Sequence, residues 1–240
     1  MTTYAIIPSG GVGKRINSSL PKQYVKIKGK ELIAYTLEIF QKSELIDKII
    51  IAAQLDYFPL LEEIKTKYNI SKLVKIIEGG SERQNSVFNA LMATEADEND
   101  MIIVHDAARP LLSQKILTNA IIEAKTFDNV IVAIKANDTL VSGNMFVKEY
   151  LDRNSTYLVQ TPQISRYKIL VNAMNLAKTN SFLGTDESML LYKASNKIKI
   201  VDGSSNNFKI TTDADLDLFT NICDIESCWL SNYLIVVTLK

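Results

Sequence analysis

The chain has 240 residues, 47% of them hydrophobic and 22% charged, which is enough for one globular domain with a large core. Lys plus Arg and Asp plus Glu each number 27, so the net charge is zero and a general nucleic-acid binder, which needs a basic excess, is excluded. Two cysteines, Cys223 and Cys228, make neither a disulfide framework nor a zinc pattern, and no signal peptide or membrane-length apolar run is present, so a cytoplasmic protein with no membrane partner is expected.

In chain order, residues 4–7 form a short apolar strand ended by Pro8 and a glycine-rich turn. A helix is predicted over 31–42, a strand over 49–53, a helix over 57–67 and a strand over 74–77. Residues 81–94 open with Ser81-x-x-Gln84, the spacing of a capping box, and place Val87, Ala90, Leu91 and Thr94 on one helical face. Strands follow at 101–104 and 130–134, flanking a helix marked by Ile116, Leu117, Ala120, Ile121 and Ala124. Apolar strands separated by amphipathic helices predict an α/β fold with a single doubly wound, mostly parallel sheet. Ligands bind such sheets beyond the carboxyl ends of the strands.

The rhythm changes at Asn137, and residues 137–160 read as an inserted arm with two short strands around Ser142-Gly143-Asn144. Helices resume over 165–178 and 186–194, then a strand over 198–201 and a final helix from about 213. The apolar tail after Ile222 predicts an extra strand or a packed end. With no repeat or linker, residues 1–240 are taken as one domain.

Three clusters carry chemistry. Ser9-Gly10-Gly11-Val12-Gly13-Lys14-Arg15, followed by Pro21-Lys22-Gln23-Tyr24, lets backbone N–H groups approach a phosphate and adds the cations Arg15 and Lys22. The alternative is a tight turn with solvated basic residues. Ile16 breaks a dinucleotide fingerprint and so argues against an oxidoreductase, while Pro8 and Arg15 break a Walker loop. Glu78-Gly79-Gly80-Ser81 delivers a helix N-terminus suited to an anion or a base carbonyl, although capping alone explains Ser81 and Gln84. His105-Asp106-Ala107-Ala108-Arg109 sets a carboxylate beside a guanidinium at a strand end, either to take substrate hydroxyls or help hold a metal, or as an ordering pair. Strand alternation points His105 away from Asp106, into packing.

These pieces, with Gln160-Thr161-Pro162-Gln163, Gly184-Thr185-Asp186-Glu187 and Asn207-Phe208-Lys209-Ile210-Thr211, stand in an order that resembles the 2-C-methyl-D-erythritol 4-phosphate cytidylyltransferase family over residues 4–219. The resemblance implies a Rossmann-like nucleotidyltransferase fold. It implies transfer of CMP from CTP to 2-C-methyl-D-erythritol 4-phosphate, giving 4-diphosphocytidyl-2-C-methyl-D-erythritol and pyrophosphate in isoprenoid synthesis. By position, Arg15, Lys22, Lys209 and Asp106 would be catalytic. Pro8, Ser9, Gly10, Gly11, Gly13, Gly80, Ser81, Ser86, Ala107 and Arg109 would bind the nucleotide. Asp106, Thr139, Arg153, Thr161 and Thr185 would bind the acceptor, with Thr139 and Arg153 on an arm that reaches into the partner of a homodimer. No protein metal site is implied, only Mg²⁺ bound mainly through the CTP phosphates.

The chain departs from the family at Pro8-Ser9, where small alanines are usual, at Ser81, where an acidic residue is often seen, and in its longer tail. One alternative is D-ribitol-5-phosphate cytidylyltransferase, against which Ala107-Ala108 leans. Another is a non-catalytic nucleotide-binding module, against which the retained Arg15, Lys22, Asp106 and Lys209 argue.

Overall fold

The computed structural model describes residues 1–11, 18 and 20–237, with side chains through residue 225. Its first elements are β1 (Thr3–Pro8), the two-residue strands β2 (Lys26–Ile27) and β3 (Lys30–Glu31), α1 (Leu32–Lys42), β4 (Lys48–Ala53), α2 (Phe58–Lys67), β5 (Leu73–Glu78) and α3 (Arg83–Met92). Then come β6 (Met101–Val104), α4 (Gln114–Phe127), β7 (Val130–Lys135), β8 (Leu140–Gly143), β9 (Val147–Leu151) and β10 (Tyr157–Arg166). The last are α5 (Tyr167–Thr179), α6 (Glu187–Lys193), β11 (Lys199–Asp202) and α7 (Asp213–Val237).

Seven strands form one sheet in the order β11-β7-β10-β6-β1-β4-β5. Every neighbouring pair is parallel except those of β10, which runs antiparallel to both β6 and β7. The fold is therefore the mostly parallel, doubly wound α/β sheet that the sequence predicts. Side chains alternate across it: Ala5, Ile7, Ile49 and Ile51 pack under α1, α2 and α4. Tyr4, Ile6, Ile50 and Ala52 face the opposite way, under α3, α5 and α6. Burial on both faces is why these strands read as unbroken apolar runs. A third cluster, Ile27, Leu32, Ala108, Ile210 and Phe219, fastens β2 and the start of α7 to the loop after β6.

Strand β10 departs from the sequence reading, which ends an arm at 160 and starts a helix at 165 with no sheet strand between them. Its Gln160, Thr161, Gln163 and Ser165 are buried, and each hydrogen-bonds inside the molecule, to Ser204, His105, Asp186 and Asn129 respectively. Satisfied polar groups can enter a sheet that unsatisfied ones could not. The following helix accordingly starts at Tyr167 rather than at 165. The capping box is also absent: α3 begins at Arg83 with Glu82 as an extended N-cap that gives no side-chain bond. Gln84 instead donates to the Phe182 carbonyl and accepts from the Gly184 N–H. The tail is not an extra strand, because α7 continues helically to Val237.

Strands β8 and β9 pair only with each other, Leu140 opposite Leu151, as a hairpin inside the predicted arm. Residues 157–160 of that arm belong to the central sheet instead. Among the described residues no helix is long and apolar enough to cross a membrane.

Candidate active site

The carboxyl ends of β1, β4, β5 and β6 surround a cleft of about 900 Å³. Pro8, Ser9, Gly10 and Gly11 line it after β1; Gly80, Ser81 and Ser86 line it at the entry to α3. Asp106 and Ala107 come from the loop after β6, and Lys22 and Lys209 from distant segments. The structure thus gathers eleven of the residues singled out in the sequence around one space. Arg109 and Thr161 stand behind that lining, bonded to its residues. Thr139, Arg153 and Thr185 are exposed and do not line the cleft. Gly13 and Arg15 lie outside the described residues.

The glycine turn into α3 is fastened by one hydroxyl. Ser86 Oγ accepts from the Gly80 N–H at 3.0 Å and donates back to the Glu82 carbonyl at 3.1 Å. A Cβ at Gly80 would sit 2.3 Å from the Asn85 Cβ, so only glycine lets the turn come this close to the helix.

Asp106 is the electrostatic centre. Its Oδ1 accepts from Arg83 Nε at 3.3 Å; its Oδ2 takes Arg109 Nε at 3.3 Å and Lys209 Nζ at 3.0 Å. Burial would push this carboxyl up, but Lys209, Arg83 and Arg109 together hold it well below the usual carboxylate range. Asp106 is thus a fixed anion among three cations, not a proton carrier. Its loop is held by a directed chain of bonds. The Arg109 carbonyl can only accept, so His105 Nε2 donates to it at 3.1 Å and Nδ1 is left to accept from Thr161 Oγ1 at 3.0 Å. Thr161 Oγ1 in turn accepts from the Asp106 N–H at 3.1 Å. Burial pushes the His105 pKa down to about 4, which keeps the ring neutral and this direction fixed. The expectation that His105 serves packing holds, and it carries this polar duty as well.

The scattered motifs meet through side chains. Asn207 donates to the Thr161 carbonyl at 2.8 Å, its own carbonyl accepts from Arg109 Nη1 at 2.7 Å, and the Ile210 N–H donates to the Ala108 carbonyl at 2.9 Å. Those bonds bring Lys209 to Asp106. Gln163 donates to Asp186 Oδ2 at 3.1 Å and accepts from the Ser188 N–H at 2.8 Å, joining β10 to the start of α6.

Sequence reasoning missed Arg83 and Glu187. Arg83 grips the buried Glu187 carboxylate with Nη1 at 2.7 Å and Nη2 at 3.0 Å while its Nε holds Asp106. The pair of carboxylates raises the Arg83 pKa further against the lowering effect of its burial. A signal existed: a cation in the first turn of a helix opposes the macrodipole and calls for a partner. No cluster of three or more His, Cys, Asp or Glu able to hold a metal occurs among the described residues.

Comparison with known proteins covers the stretch of chain that builds this cleft. The family model described as 2-C-methyl-D-erythritol 4-phosphate cytidylyltransferase matches residues 3–224. A protein of that name from Geobacter metallireducens is 38% identical over 222 residues, 91% of this chain and 96% of its own. The crystal structure of the Francisella tularensis 2-C-methyl-D-erythritol 4-phosphate cytidylyltransferase has a TM-score of 0.78 at 33% identity, covering 91% of this chain and 98% of that one. That of 4-diphosphocytidyl-2C-methyl-D-erythritol synthase from Anaerococcus prevotii has a TM-score of 0.81 at 25% identity, over 93% and 98% of the two chains. With a match across nearly its whole length, the chain belongs to the 2-C-methyl-D-erythritol 4-phosphate cytidylyltransferase family.

Proposed function

We propose that this protein transfers the cytidylyl group of CTP to 2-C-methyl-D-erythritol 4-phosphate and releases pyrophosphate, as a cytoplasmic enzyme of isoprenoid synthesis. The observation that carries the reading is the convergence of Lys22, Lys209 and the Gly10-Gly11 loop on one cleft, in a chain of this family. The chemistry explains the need for cations. An oxygen of the acceptor phosphate attacks the α-phosphorus, a P–O bond forms, and the bond to the bridging oxygen breaks with its electron pair leaving on pyrophosphate. Two polyanions must meet, and even in water two unit charges about 4 Å apart repel by about 1 kcal/mol. The nucleophile is already charged and the leaving group needs no proton, so positioning and charge stabilisation supply the rate. Lys22 and Lys209 serve that end, together with Arg15.

Asp106 has both oxygens occupied by cations, so the described cleft fits a Mg²⁺ held by the nucleotide and water rather than by a protein cage. Bound in that way, Mg²⁺ would neutralise triphosphate charge. Thr139 and Arg153 would complete the acceptor pocket of a second subunit through the arm, which makes the working form a homodimer. The exposure of Val141, Met145, Phe146, Val147 and Tyr150 on and beside the hairpin supports this.

The test is pyrophosphate release by the purified protein with CTP and Mg²⁺, run in parallel with 2-C-methyl-D-erythritol 4-phosphate and D-ribitol 5-phosphate. Turnover with the first alone is expected. Turnover with ribitol 5-phosphate alone would overturn the acceptor assignment, and CTP binding without release in either arm would overturn the enzymatic reading.

A further inference from the structure

The tripeptide Lys22-Gln23-Tyr24 forms a single 3-10 turn between the glycine loop and the Lys209 segment, and each of its side chains reaches a different partner. Lys22 Nζ donates to the Ile210 carbonyl at 2.7 Å, next to Lys209. Tyr24 is buried, stacks on Tyr57 with ring centroids 4.4 Å apart, and places its hydroxyl 3.1 Å from Ser9 Oγ. Gln23, only 3% exposed, uses one amide nitrogen twice: Nε2 donates to the Ser9 carbonyl at 2.7 Å and to the Gly11 carbonyl at 2.9 Å. The carbonyl between them, that of Gly10, accepts from Gln54 Nε2 at 3.1 Å. Three successive loop carbonyls are therefore tied down by two side-chain amides.

We propose that Gln23 is a positioning residue for the nucleotide phosphates, clamping the glycine loop to the turn that carries Lys22. The inference deepens the cytidylyltransferase reading and rests on it. In a planar trans peptide the C=O and N–H groups point in opposite directions. Holding the Ser9 and Gly10 carbonyls therefore fixes the directions of the Gly10 and Gly11 N–H groups, the donors such a loop offers to a phosphate. A glycine loop is intrinsically floppy, because glycine has the most backbone freedom to lose. Ordering it before the ligand arrives removes that cost from binding. Because the same turn bears Lys22, the clamp also fixes the loop-to-lysine separation, on which the stabilisation of a developing charge depends. Gln54 plays the smaller part, since it holds one carbonyl and is less buried.

The experiment measures CTP affinity by calorimetry and steady-state constants for both substrates, in wild type, Gln23→Met, Gln23→Glu and Gln54→Met. Gln23→Met keeps the length and apolar stem but removes both donors; a loss of about tenfold or more in CTP affinity is expected, with the KM for the acceptor unmoved. Gln23→Glu turns a carboxylate toward two carbonyls and is expected to weaken CTP binding more than the Met variant does. Gln54→Met is expected to shift CTP affinity in the same direction by about two- to threefold. Combining Gln23→Met with Lys22→Ala tests the coupling: the kcat loss from Lys22→Ala shrinks in that background if the clamp sets the lysine's position. Wild-type CTP affinity in Gln23→Glu would overturn the proposal, as would losses spread equally over both substrates with a lowered Tm. Calorimetry keeps the clamp testable even if wild type binds CTP and turns over neither acceptor, a result that removes the enzymatic reading alone.

Discussion

The wall of the cleft around Asp106 and the β8–β9 arm are both polar-edged insertions after sheet strands, yet they treat their side chains in opposite ways. Around Asp106 the charges are paired with one another inside the chain. Arg83, Arg109 and Lys209 converge on one carboxylate, Glu187 takes the rest of Arg83, and His105 and Thr161 fix the backbone beneath. On the arm almost every residue from Leu140 to Leu151 is exposed, with Met145 at 85% and Phe146 at 82%. Nothing among the described residues of its own chain covers these apolar side chains. A buried ion network must be complete within one subunit, because an unpaired charge out of water is costly. An apolar hairpin can wait for a partner, since single exposed apolar residues are cheap to keep. The wall should therefore be sensitive to any single substitution and the arm should not.

The largest effect is expected at the centre of the wall. Asp106→Ala leaves Arg109 and Lys209 without their shared anion and Arg83 with Glu187 alone, and the loss of one partner of a buried pair costs about 3–5 kcal/mol. Urea unfolding of the variant at neutral pH checks this; a midpoint equal to that of wild type would mean that water already screens the network. Next is Lys22→Ala, whose target is the transition state rather than the fold. A fall in kcat of about 100-fold is expected, with a much smaller rise in KM for CTP. An unchanged kcat would remove Lys22 from the chemistry.

The same contrast explains what the sequence discloses. Strands β1, β4, β6 and β7 are legible because both their faces are buried, which leaves continuous apolar runs. Strand β10 is not, because its buried residues are polar and depend on partners such as Asp186 and Ser204 that only the fold brings near. Within the site, Asp106, Lys22 and Lys209 stand in recognisable motifs, and the structure gathers them. Arg83 looked like part of a helix start because its meaning rests on Glu187, 104 positions away. Gln23 stands in the same motif as Lys22, but its two bonds to loop carbonyls depend on the folded loop and leave no mark in the sequence. Thr139 and Arg153 are exposed and do not line their own chain's cleft, which neither motif discloses.

A third effect separates the wall from the arm by pH. His105 is fully buried with its pKa lowered to about 4. Its ordinary value is about 6.5, so between these the unfolded chain takes up a proton that the folded one refuses. The stability from the neutral ring is thus complete above about pH 6.5 and is lost as pH falls toward 4, amounting to about 2 kcal/mol by pH 5. His105→Gln, which cannot titrate, should lose less stability than wild type between pH 7 and pH 5. Parallel loss in the two proteins would show that the ring is reached by water or that other groups dominate. Asp106 adds little between pH 6.5 and 5, because the stability from its depressed carboxyl is complete above the ordinary carboxylate value of about 4 and is lost only as pH falls below it.

The smallest effect on the fold is expected on the arm, where it is the most informative. Met145→Ser with Phe146→Ser replaces side chains that already face water in the isolated chain. Unfolding of the dissociated chain should therefore change by less than about 0.5 kcal/mol. If a second copy covers these residues, the same pair of changes removes an apolar anchor from the interface, where a few such side chains carry most of the binding energy. Light scattering should then show a dimer becoming a monomer at unchanged secondary structure. Turnover should fall with it, because Thr139 and Arg153 would no longer be delivered to the neighbouring cleft, while CTP affinity, set by loops of one chain, stays near wild type. A wild-type monomer with full turnover would break the comparison at its weaker end, since the arm's exposed face would then have no partner copy to explain it. A dimer that loses turnover without losing CTP binding would sharpen it, dividing the site into a nucleotide half built within the subunit and an acceptor half completed across the interface.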